Sequence, residues 1–170
     1  MTPDHQDPAP SSDPGRERPR GPDDSGKVAV EEVIQRLFVA GVSARNAAAY
    51  FDRTYHDDIC IHEAPSLPYG GDYHGLEGAA RHAMRFTETW DRWQTDEQRR
   101  LNPRIIATDT EAVVLWTLRA QRPGEPEESR FPAISHYRFR DGRVVESRMS
   151  FYDTAAVLDF LIRAESSRLA

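Results

Sequence analysis

The stretch from residue 103 to residue 151 constrains the fold most. Residues 103–107, 112–121 (AVVLWTLRAQ), 129–140 (SRFPAISHYRFR) and 143–151 all carry strand patterning. Asp141-Gly142 sits between the last two runs, and such a dipeptide favours a two-residue hairpin. The loop 122-RPGEPEE-128 joins the two runs before it. These spacings predict long antiparallel strands late in the chain.

The first half of the chain reads as helical. Val30, Val33, Ile34, Leu37, Phe38 and Gly41 share one helical face, with Asp24 or Ser25 as its N-cap. A second, shorter helix fits residues 45–55, with Ala48, Phe51 and Tyr55 on one side and Asp57-Asp58 ending it. Ile59–Glu63 then reads as a strand, the Pro/Gly-rich segment as a hairpin, and Asp72–His74 as its return arm. In 76-LEGAARHAMRFTETWDRW-93, Ala79, Ala83, Phe86, Trp90 and Trp93 recur at helical spacing. Asp153-Thr154 caps a last helix whose apolar residues are Val157, Leu158, Leu161 and Ile162. The order α-α-β-β-α-β-β-β-α is an α+β layout. It predicts a cone-shaped, curved antiparallel sheet wrapped around three helices of the N-terminal half, with a cavity inside.

Composition narrows the function classes. Residues 1–27 hold six of the twelve prolines and no aromatic or β-branched apolar side chain. Such a segment buries too little to offset its ordering entropy, so it is expected to be a disordered tail before one domain over 28–165. A net charge of −6 argues against nucleic-acid or anionic-membrane partners. No apolar run reaches the roughly 20 residues that span a bilayer, and no signal-peptide core opens the chain. A cytoplasmic location is therefore expected. Cys60 is the single cysteine, which excludes an internal disulfide, and is expected to be a small core side chain. His62 and His74 lack the neighbours a metal site needs, and there is no Gly-rich phosphate loop. Neither metal nor cofactor is expected.

The segments 54-TYHDDICIHEAPSLPYGGDYHGLEG-78 and 134-ISHYRFRDGRVVESRMSFYDTAAVL-158, in this element order, resemble the nuclear-transport-factor-2-like (NTF2-like) superfamily. The nearest branch is the SnoaL-like one, which holds polyketide cyclases and ketosteroid-isomerase relatives. The likeness covers about residues 28–162. It implies that Glu63 stands where isomerase relatives carry a general base. Strand alternation then sends Ile59, Ile61 and Glu63 to the concave face, and Cys60 and His62 away from it. The late-strand acidic donor of those isomerases, and the aspartate of aldol-type cyclases, both fall at Ser135. The helical tyrosine donor falls where this chain has Leu37 and Phe38. Steroid isomerisation is thus not implied, nor is epoxide hydrolysis, since Arg119 has no inward carboxylate partners.

The resemblance further implies a mostly apolar pocket. Val114, Trp116, Leu118, Phe131, Ala133, Ser147, Met149 and Phe151 would point into it, with Glu63, Ser135 and Tyr137 as its polar points. Phe86 and Trp90 would close the wide side, and Tyr50, Tyr69 and Tyr73 would reach the mouth. Glu63, Ser135 and Tyr137 are the catalytic candidates. His82 reads as a half-buried structural residue beside the apolar stripe of its helix. His136 and Arg138 face the convex side, where relatives form a homodimer. Two functions follow. The first is cofactor-independent cyclisation or isomerisation of an apolar polyketide-like substrate, by acid/base assistance from Glu63 or by shape-templated, pericyclic ring closure. The second is a non-catalytic ligand-binding or dimerisation module.

Overall fold

The computed structural model describes residues 24–39 and 53–169. Its first helix, α1 (Asp24–Val39), buries Val30, Ile34 and Phe38 on one face, the stripe that the spacing predicts. The helix expected over 45–55 and the candidate Tyr50 lie outside the described residues, apart from the helical Arg53-Thr54. Likewise, most of the expected tail lies outside them.

Strand β1 (Tyr55–Glu63) starts earlier than the sequence suggests. Tyr55 belongs to it and not to a helix, and Asp57-Asp58 continue the strand instead of breaking it. Their side chains face solvent and pair with arginines near the distant hairpin, Asp57 with Arg143 at 3.7 Å and Asp58 with Arg140. The β2 strand (Gly71–His74) pairs back on β1, with Ile61 opposite Tyr73 and Glu63 opposite Gly71. Helix α2 (Gly75–Trp90) runs on into a 3₁₀ turn (Asp91–Trp93) and a short helix α3 (Asp96–Arg99). Thr95 and Gln98 cap α3 reciprocally.

The late strands are β3 (Arg104–Ala107), β4 (Glu111–Ala120), β5 (Ser129–Arg140) and β6 (Arg143–Phe151). Asp141 and Gly142 take φ of 52° and 72°, the left-handed pair that a tight hairpin between β5 and β6 requires. Six strands form one unclosed curved sheet in the order β2-β1-β6-β5-β4-β3. Every neighbouring pair is antiparallel except β1 with β6, which run parallel. A parallel pair needs a long crossover, and the chain from α2 through β5 supplies it. A register slip between Arg138 and Phe139 marks a bulge in the β5–β6 pairing, and bulges bend a sheet.

Helix α4 (Thr154–Leu169) packs Val157, Phe160, Leu161 and Ala164 into the core. Trp90 stacks on Phe160 at 5.9 Å and touches Phe131 at 6.0 Å, which joins α2, α4 and β5. The concave face is thereby defined. Ile59, Ile61 and Glu63 point into it from β1, and Val114, Trp116 and Leu118 from β4. Phe131, Ala133, Ser135 and Tyr137 join them from β5, and Ser147 and Phe151 from β6. Met149 is half-buried on the same side. Cys60 sits half-buried on the opposite face, beside His74 and Glu146 across the ladders, so it is not a core side chain.

Candidate active site

Glu63 ends β1 at the rim of the core, and its side chain is only 1% exposed. Helix α2 lies against β1 and carries His82 to it. The imidazole Nε2 stands 2.7 Å from Glu63 Oε1, a short charge-assisted hydrogen bond. The second carboxylate oxygen, Oε2, is buried with no hydrogen-bond partner. Burial pushes the Glu63 carboxyl above its ordinary value, and the His82 bond and charge pull it part of the way back. His82 is 15% exposed, so the pair runs from the dry interior toward solvent.

Aromatic rings hold the imidazole in place. Tyr73 meets it edge-on at 5.2 Å, and Tyr69 and Phe86 flank it at 6.4 and 6.1 Å. Tyr69 and Tyr73 do not stand at a pocket mouth as expected; both are buried. The Tyr69 hydroxyl accepts from Trp90 Nε1 at 3.2 Å, and the Tyr73 hydroxyl donates to the Tyr69 carbonyl at 2.7 Å. The Pro/Gly hairpin folds inward because it carries Leu67 and Tyr69, which have apolar surface to bury. Trp90 is packed within the core, stacked on Phe160, and does not close an open side.

A second polar cluster lies on the same face. Trp116 Nε1 donates to Ser135 Oγ at 2.9 Å. The Ser135 and Ser147 hydroxyls lie beside the Tyr137 phenol, where they offset part of its raised pKa. Desolvation, then the neighbouring Tyr55 and Glu63, raise the Tyr137 pKa well beyond its ordinary range, so the phenol stays neutral and able to donate. Phe38 packs edge-on against both Trp116 (5.8 Å) and Tyr137 (6.4 Å). It occupies the place where the resemblance puts a tyrosine donor.

Of the three catalytic candidates, Ser135 and Tyr137 are neighbours, and the charge of Glu63 is felt at the Tyr137 phenol. The sequence reading passes over His82 as the partner of Glu63. A signal for it exists: His82 lies three residues after Ala79 and four before Phe86, within the inward stripe of α2. Among the described residues, no group of three or more His, Cys, Asp or Glu side chains is arranged to hold a metal ion. No helix among them is long and apolar enough to cross a membrane.

Comparison with known proteins extends this picture. The profile of the SnoaL-like domain matches residues 34–147. Curated protein sequences give no match. Among solved structures, Bal32a from a soil-derived mobile gene cassette superposes with a TM-score of 0.64 at 16% identity, covering 81% of this chain and 99% of its own. TerC, co-crystallised with polyporic acid, gives 0.63 at 19% identity, covering 78% and 98%. A candidate SnoaL-like polyketide cyclase from a Jannaschia species gives 0.60 at 17% identity, covering 84% and 95%. At such identities the likeness is one of fold.

Proposed function

The chain belongs to the SnoaL-like domain family, and we propose that it is an enzyme that moves a proton on a mostly apolar, carbonyl-bearing molecule of polyketide type, driving ring closure or isomerisation. The observation that carries this reading is the Glu63–His82 pair. A buried carboxylate with a raised pKa, one oxygen fixed by an imidazole and the other without a partner, is a stronger base than an exposed carboxylate and is placed to accept a proton. The candidate polyketide cyclase among the fold neighbours supports the substrate class.

In this reading Glu63 Oε2 takes a proton from the carbon beside a carbonyl. Charge develops on the carbonyl oxygen, which the neutral Tyr137 phenol meets with a hydrogen bond. In ring closure the enolate carbon then attacks a second carbonyl, and the new alkoxide recovers the proton from Glu63. In isomerisation Glu63 returns the proton to a different carbon. His82 is a positioning residue throughout, since it orients Oε1 and leaves Oε2 for the substrate. The test is turnover of poly-β-keto substrates by the wild type, Glu63→Gln, Glu63→Ala and His82→Gln. Glu63 variants are expected to lose about 100-fold or more, the usual scale of general acid–base catalysis. His82→Gln is expected to lose less and to shift the acid limb of the pH–rate profile upward. Wild-type turnover in both Glu63 variants would overturn the proton-transfer reading and leave shape-templated closure. Binding without turnover in the wild type would make the domain a ligand-binding module.

A further inference from the structure

The indole of Trp116 is buried on the concave face with a polar atom to satisfy. Trp116 on β4 lies across from Ala133 of β5. It therefore reaches Ser135 on the diagonal, two residues along the same face, and its Nε1 donates to Ser135 Oγ at 2.9 Å. Both side chains are buried. An indole N–H can only donate, so Ser135 is the acceptor in this bond and keeps its own single proton. In a dry core that proton needs a partner. A hydroxyl that accepts one hydrogen bond is a stronger donor in the next.

The next polar group along the face is Tyr137. It follows Ser135 by two residues on β5, so strand alternation sets both on the concave side, where both are buried. Ser147 of β6 stands directly opposite Tyr137 in the ladder. Burial, then Tyr55, hold the phenol above its ordinary pKa, and Ser135 and Ser147 pull part of that back. A neighbour lowers the pKa of a phenol by stabilising the phenolate, and a hydroxyl does so by donating to it. The two serine protons thus belong to the phenol oxygen, and the phenol's own proton is left for another acceptor. Phe38 of α1 packs edge-on against Trp116 at 5.8 Å and Tyr137 at 6.4 Å, and its ring offers no polar atom to take that proton.

We infer that Trp116 is a positioning residue: it acts through Ser135 on Tyr137, and the bond order Trp116 to Ser135 to Tyr137 aims the phenol proton at a ligand oxygen on the concave face. The use of this order in turnover rests on the proton-transfer reading above; the direction of the bonds does not. Trp116→Phe would leave the Ser135 oxygen open to accept from Tyr137, which turns the phenol proton away from the ligand.

The test has two arms, and the first needs no substrate. It follows the indole N–H resonances of the full chain by ¹⁵N NMR in the wild type and in Tyr137→Phe. That variant keeps the ring and removes only the hydroxyl. The Trp116 indole proton is expected to move upfield as the chain of bonds loses its end. The Trp90 indole, bound to the Tyr69 hydroxyl, is expected to stay in place. The second arm is turnover of poly-β-keto substrates by Trp116→Phe, Ser135→Ala and the double variant. Each single variant is expected to lose about tenfold in kcat with KM kept, less than the roughly 100-fold or more that removal of a direct oxyanion donor costs. The double variant is expected to lose no more than Ser135→Ala alone, because the missing hydroxyl already interrupts the route. A packing role for Trp116 would instead multiply the two losses, and that result would overturn the inference. An unmoved Trp116 indole in Tyr137→Phe would overturn it whether or not the chain turns over. A moved indole in a chain that turns nothing over would overturn the proton-transfer function and support the bond order.

Discussion

Replacing Gly78 with alanine sets two effects of opposite sign against each other. Gly78 is buried in the second turn of α2, where alanine has the better helix propensity by about 1 kcal/mol. A Cβ at this position would stand 2.9 Å from the carbonyl carbon of Tyr73 and 3.4 Å from its Cα and Cβ. The obstacle is backbone, and it cannot swing aside. Tyr73 is held by its pairing with Ile61 in the sheet and by its phenol bond to the Tyr69 carbonyl. Helix α2 must therefore move outward. Overpacking of this kind costs about 1–3 kcal/mol, and a backbone contact belongs at the upper end of that range. The net expectation is a loss of about 1–2 kcal/mol. With a urea slope of about 1–3 kcal/mol per molar, the unfolding midpoint should fall by about 0.5–1 M. His82 lies one turn further along the same helix, so the Glu63–His82 bond should lengthen as well, and the His82 imidazole ¹⁵N shifts should report it. A Gly78→Ala protein as stable as the wild type, with unchanged His82 shifts, would refute the reasoning.

Three further outcomes follow from single contacts. Folded Glu63 keeps its proton to higher pH than the unfolded chain, whose carboxyl titrates near its ordinary 4.5. The stability this proton confers is present below that value and lost as pH rises through the folded pKa. Glu63→Gln, with no charge to desolvate, should therefore gain on the wild type as pH rises from about 4.5, measured as urea midpoints from pH 4 to 8; a pH-independent difference would contradict the raised pKa. Ser135→Ala removes the acceptor of the buried Trp116 N–H and should cost about 1–3 kcal/mol in urea unfolding, whereas no loss would mean the bond contributes nothing. Thr95→Ala breaks the capping box of α3 and should cost about 1 kcal/mol in the same assay, provided this segment unfolds with the rest.

The late sheet is legible in the sequence because its signals are local. Alternation fixes β5 and β6 to the residue, and Asp141-Gly142 names its own turn. The inward placement of Glu63 follows from the same period. What the sequence hides depends on contacts made across the fold. Asp57-Asp58 reads as a break because the arginines that pair with them lie more than 80 residues away. The parallel β1–β6 pairing leaves no trace in either strand alone. The hairpin after Glu63 resembles a rim, since Pro and Gly mark turns, yet the burial of Leu67 and Tyr69 draws it inward. His82 is the most consequential omission. Its spacing in α2 marks the inward face, but only the packing of that helix on β1 reveals that it meets Glu63.

The most direct test of the Glu63–His82 pair requires no substrate. It is a pH titration of the Glu63 carboxyl carbon by ¹³C NMR, in the wild type and in His82→Gln. The predicted wild-type midpoint lies above the ordinary 4.5, and it moves further up in His82→Gln, because the imidazole that stabilises the carboxylate is gone. A wild-type midpoint at or below 4.5, unmoved by His82→Gln, would contradict a buried carboxylate poised by His82 to accept a proton.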